Sequence, residues 1–169
     1  MNEIKTSFKS AAVMRLTESH ERISKCINLL NEDQLVFRPN NVSNSVANII
    51  IHTLGNMTQY ILSSLGNQAD MRDRDREFVP RSSINKHELI EKVDQVFEKV
   101  LQTINDCTDE ELLRKRKVQG FYFDGVGIIM HVVEHASYHV GQITYLTKML
   151  TNSETNYYAN LDLNVHNEE

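Results

Sequence analysis

Apolar residues recur at helical spacing in four stretches of the chain. In the first, Phe8, Ala12, Leu16, Ile23, Ile27 and Leu30 follow one another at steps of three, four or seven. That helix is expected to stop before Arg38-Pro39, because a proline pushes its predecessor out of helical geometry. The second stretch starts after Ser43-Asn44-Ser45, whose side-chain oxygens suit an N-cap, and runs to about Leu65 with Gly66 just past its end. The third opens at Asn85, which pairs with Glu88 as in a capping box, and carries Leu89, Val93, Val96, Val100 and Ile104. The fourth runs from about Asp124 to Leu150 with Ile128, Val132, Ala136, Ile143, Leu146 and Leu150 facing inward. Four helices striped on one face must bury those stripes against each other, which predicts an all-α four-helix bundle. The bundle is assigned to residues 1–150, and residues 151–169 read as a polar C-terminal tail ending in Asn167-Glu168-Glu169.

Composition agrees with this reading and narrows the function. Six Gly and two Pro in 169 residues leave little room for the turns of an all-β fold. With 18 Lys+Arg against 23 Asp+Glu the net charge is −5, which argues against a nucleic-acid partner. No apolar run approaches the ~20 residues of a membrane span. Ala11–Met14, closed by Arg15, is too short for the core of a signal peptide. Cys26 and Cys107 lack metal-pair spacing and are too few for a disulfide framework, so both are expected as reduced thiols in a cytoplasmic protein.

The histidines change the picture. His131, His135 and His139 repeat every four residues on the fourth helix, and such a step drifts only about 40° around the axis. His135 and His139 straddle the centre of the apolar seam, whereas His131 lies nearer its edge. Two inward imidazoles in register can place nitrogens on one cation, or each can be a core histidine bonded to its own neighbours. On the second helix His52 shares a stripe with Ser45, Asn48, Ile49, Asn56, Gln59 and Ser63, opposite Ile50, Leu54, Met57 and Ile61. Such a stripe either faces solvent or lines a wet cleft with His52 as a third ligand. Three neutral histidines would leave a divalent cation open positions for water, hydroxide, thiolate or carboxylate. A competing pattern, His131-Val-Val-Glu134-His135, fits H-x-x-E-H, with Glu134 as base, but gives His139 and His52 no role.

The run His135-Ala-Ser-Tyr-His139-Val-Gly141-Gln142-Ile143 resembles the H-x-x-x-H-x-G-Q-I signature of the DinB/YfiT-like superfamily of metal-binding four-helix bundles. Ser43-Asn44-Ser45, His52 with Gly55-Asn56-Met57, and Arg72-x-Arg74-Asp75-x-Glu77-Phe78 resemble an uncharacterised branch of it. The resemblance implies His52, His135 and His139 as ligands of a divalent metal, zinc or nickel first. It also implies a thiol transferase using a low-molecular-weight thiol, or a hydrolase, acting on a small molecule, and a homodimer. The catalytic residues stay unassigned. A non-catalytic metal- or ligand-binding stress-response protein is the alternative, because it would use the same ligands. Asn56 and Gln142 are expected in supporting positions around the metal.

Two connectors are highly charged. Asp70–Arg81 carries four residues of each sign and reads as a solvated loop, although one of its arginines could fold over the cleft and hold a carboxylate. Arg114-Lys115-Arg116-Lys117 reads as a solvated connector.

Overall fold

The computed structural model describes residues 2–167; Glu168 and Glu169 of the polar tail lie outside the described residues. The chain is a four-helix bundle. Its main helices are α1 (Asn2–Leu29), α3 (Val46–Met57), α5 (Lys86–Asp106) and α7 (Gly125–Thr151). Short helices α2 (Glu32–Val36), α4 (Arg74–Glu77) and α6 (Asp109–Leu113) and a hairpin of β1 (Arg116–Val118) and β2 (Phe121–Phe123) fill the connections. α1 packs on α5 and α7, and α3 on the same two, so α1 and α3 sit diagonally across the core.

The local signals behave as the sequence predicts at most helix starts. Ser45, Asn85 and Asp124 each accept a backbone N–H of the first turn, which satisfies donors with no intrahelical partner. Two expectations need correction. The first helix ends at Leu29, and Asn31 then caps a separate helix α2 through a complete capping box with Gln34. The second helix does reach Leu65, but Thr58–Leu65 winds as a π-helix rather than an α-helix.

Leu16, Ile23 and Ile27 from α1 meet Ile50, Leu54 and Met57 from α3 in one core. Val93, Phe97 and Val100 from α5, with Ile128, Val132 and Ile143 from α7, complete it. Phe97 takes the fully buried place beside the partly buried Val96. The polar stripe of α3 is interior too: Ser45, Asn48, His52 and Asn56 are all buried, so α3 is covered on every side.

Arg114–Lys117 is not simply a solvated connector. Arg116 is buried in β1, where its guanidinium donates to the Ser64 and Glu111 carbonyls and pairs with the Glu111 carboxylate at 2.9 Å. The hairpin turn has positive φ at Gln119 (51°) and Gly120 (88°), the left-handed pair that a two-residue turn requires.

The segment after α7 straps the bundle. The Tyr157 hydroxyl bridges Cys26 Sγ at 3.1 Å and Thr144 Oγ1 at 2.8 Å, and Arg22 donates to the Tyr158 hydroxyl at 2.6 Å. Burial first, then the Cys26 contact, pushes the Tyr157 phenol up to about 12. Both cysteines are free thiols. Among the described residues no helix is long and apolar enough to cross a membrane.

Candidate metal centre

α3 and α7 bring three imidazoles to one point. His135 Nε2 lies 3.1 Å from His52 Nε2 and 3.2 Å from His139 Nε2. One ligand atom from each of the three residues falls within 4.8 Å of the others. Two ligands on a tetrahedral cation at ~2.0–2.1 Å stand about 3.3–3.4 Å apart, close to these separations.

Proton placement supports the same fit. His52 Nδ1 lies 2.8 Å from Glu77 Oε2 and donates to that carboxylate, and His139 Nδ1 lies 2.8 Å from Gln142 Oε1 and donates to it. Both rings therefore turn a bare Nε2 lone pair toward His135. A single proton on His135 Nε2 can serve only one of them, and buried His135 Nδ1 has no hydrogen-bond partner in the protein. With its proton on Nδ1, His135 leaves three bare Nε2 lone pairs facing one another, a repulsion that a cation shared by the three would relieve. Nor is protonation an escape. Burial first, then positive charge on His139, His52, His131 and Arg72, depresses His135 to about 3. His139 is lowered by burial and by His52, against the opposing bond to Gln142.

The loop 70–81 contributes what its composition concealed. Glu77, only 5% exposed, is held by Arg72, which donates from Nε to Oε1 at 2.7 Å and from Nη2 to Oε2 at 2.8 Å. The Arg72 side chain is itself 3% exposed and also donates from Nη1 to Gln59 Oε1 at 2.9 Å. Burial raises the Glu77 carboxyl, but the bonds from Arg72 and His52 and their charges outweigh it and hold it below the usual range. Asn48 pins the loop by donating to the carbonyls of Glu77 and Val79. Gly55 makes the approach possible, since a Cβ there would meet Glu77 Oε1 at 2.0 Å.

Each residue singled out from the sequence has a definite place. His52, His135 and His139 come together, and Gln142 supports His139. Asn56 does not support the triad: its Nδ2 lies 3.2 Å from His131 Nε2, while its buried Oδ1 has no protein partner. His131 stacks on Tyr60, with ring centres 4.3 Å apart, and burial lowers its pKa. The H-x-x-E-H pairing is thus set aside: His135 converges with His139 and His52, and Glu134 is exposed. Glu77 and Arg72 are the residues that sequence reasoning missed in their actual roles. The available signals were the branch motif that contains both and the Gly at position 55, one turn after His52.

A cavity of about 620 Å³ opens beside His52 and His139. Ile49, Phe78, Leu146 and Met149 give it apolar walls, and Tyr138 and Tyr145 line it as well.

Solved structures share this fold at low sequence identity. A DinB-like protein from Bacillus subtilis is 14% identical, with a TM-score of 0.66 over 85% of this chain and 94% of that one. A DinB-like protein from Bacillus cereus is 16% identical, with a TM-score of 0.66 over 83% and 91%. YfiT from Bacillus subtilis, described as "a probable metal-dependent hydrolase with an unusual four-helix bundle topology", is 13% identical, with a TM-score of 0.67 over 84% and 87%. No curated protein is significantly similar in sequence. The sequence pattern of one family matches residues 3–161, nearly the whole chain. The protein therefore belongs to the family described as "Protein of unknown function (DUF1572)".

Proposed function

We propose that this protein is a metal-dependent enzyme acting on a small molecule, with His52, His135 and His139 holding a divalent cation such as zinc or nickel. The single observation that carries the reading is the convergence of three Nε2 atoms at ligand spacing, of which one imidazole proton can bridge only two. When bound, the cation supplies a Lewis acid that lowers the pKa of a coordinated water or thiol. The reaction class is hydrolysis or transfer to a low-molecular-weight thiol.

The chain's own residues define the environment for that chemistry. The Glu77 carboxylate fixes the His52 tautomer and makes Nε2 a better donor, and Gln142 does the same for His139. Three neutral ligands leave a dication's charge uncompensated, which favours an anionic fourth group. The adjoining cavity has the size of a small-molecule site.

Elemental analysis of protein purified without a histidine tag should find close to one divalent ion per chain. Cobalt-loaded protein then separates the reaction classes. A thiol transferase should develop a sulfur charge-transfer band on addition of a small thiol, titrating below the free-thiol value of about 8.5. A hydrolase should show a spectral ionisation near neutrality without thiol preference. A spectrum indifferent to thiols, pH and anions would leave the non-catalytic binding protein as the reading.

A further inference from the structure

We propose that the cavity beside the triad takes a carboxylate with an apolar or aromatic body, and that Arg74 is the residue that recognises it; this rests on the triad being the reacting centre. Arg74 is the one Lys or Arg among the lining residues, and no Asp or Glu lines the cavity. Its neighbours in the charged loop have their charges engaged. Arg72 is clamped on Glu77 and Gln59, and Arg76 pairs with Asp73. Arg74 makes no ion pair among the described residues. Its guanidinium lies 4.9 Å from the centre of the Phe78 ring, stacked rather than hydrogen-bonded.

Stacking leaves the planar fork of N–H donors unspent, and that fork matches a carboxylate bidentately. The Phe78 ring is in turn 4.8 Å from the His52 ring. Two ring contacts therefore link the guanidinium to the triad. A small molecule anchored by its carboxylate on Arg74 would lay its apolar body along Ile49, Leu146 and Met149 and present its other end to His52 and His139. A single fixed cation with no competing anion selects a monoanion. The apolar walls select against a small hydrophilic acid. Such a substrate would carry its reactive bond or electrophilic carbon at the end remote from the carboxylate.

Calorimetric titration with 4-phenylbutyrate and its uncharged amide tests this, on metal-loaded and on chelated protein. The carboxylate should bind saturably in both forms and more tightly than the amide. Arg74→Gln should weaken the carboxylate about tenfold or more, the loss expected for a charge-assisted pair, and leave the amide unchanged. Arg74→Lys, which keeps the charge and loses the fork, should fall between. Because Arg74 is exposed, the thermal midpoints of the variants should match that of the parent. Equal affinity for acid and amide, or carboxylate binding indifferent to Arg74→Gln, would overturn the proposal. Binding seen only with metal and insensitive to Arg74 would place the carboxylate on the cation, which refutes this inference and leaves the metal reading standing. Arg74-dependent binding by protein that takes up no divalent metal when offered it would support the carboxylate site and sink the metal reading instead.

Discussion

Glu77 and His52 are joined by a buried hydrogen bond of 2.8 Å between Oε2 and Nδ1, although 25 residues separate them in the chain. The bond makes the loop 70–81 part of the histidine centre. It also sets which His52 nitrogen is free to face His135 and His139.

Glu77→Gln keeps the shape of that contact and removes its charge. Metal affinity should fall about 10- to 100-fold, the usual effect of losing the partner behind a ligating histidine. Competition with a chromophoric chelator measures it. Unchanged affinity would mean that Glu77 serves only the fold.

Gly55→Ala tests the close approach. The added Cβ would meet Glu77 Oε1 at 2.0 Å, so the carboxylate must leave His52. The variant should lose about 1–3 kcal/mol of stability, typical of overpacking, and lose metal affinity together with it. Urea unfolding and chelator competition on one preparation read both effects.

His52→Ala, His135→Ala and His139→Ala should each strip most of the metal. His131→Ala should keep it while losing the stacking on Tyr60. Elemental analysis of the four variants decides. Loss of metal in His131→Ala with retention in His139→Ala would contradict the triad.

The metal-free protein should weaken on acidification. His135, His139 and His131 sit below their ordinary 6.5 in the folded chain, and Glu77 sits below its ordinary 4.5. As pH falls below about 6.5 the unfolded chain takes up protons that the folded chain refuses, so stability drops. Glu77 adds a loss of the same sign as pH falls below about 4.5 toward its folded value. Urea midpoints at pH 7.5, 6.0 and 5.0 should decline steadily. A flat profile would show that the imidazoles titrate as if exposed.

The bundle was legible because its cause is periodic. The apolar stripes and the caps at Ser45, Asn85 and Asp124 are local features, and a helix at least eight residues long advertises itself. His52, His135 and His139 could be read for the same reason, since each sits at a definite angle on its helix. Glu77 and Arg72 could not. Both lie in a run of alternating charge with no period, and their burial is created by contact with His52, Gln59 and Gly55 on another element. Asn56 misled for the opposite reason. Its angle on α3 is right for the cleft, but one turn along the axis it meets His131 rather than the triad. The Arg116–Phe123 hairpin escaped because its two strands are only three residues each.

The strap after α7 has a consequence for the order in which the protein can be made. Cys26 meets Tyr157 across 131 residues and Arg22 meets Tyr158 across 136. α1 leaves the ribosome well before α7 and the strap that cover it. Its stripe of Leu16, Ile23 and Ile27 must wait partly exposed until α7 has been made, since α5 alone covers only part of it. Nascent chains arrested before α7 should therefore be captured by holdase chaperones, and release should coincide with the emergence of Tyr157 and Tyr158.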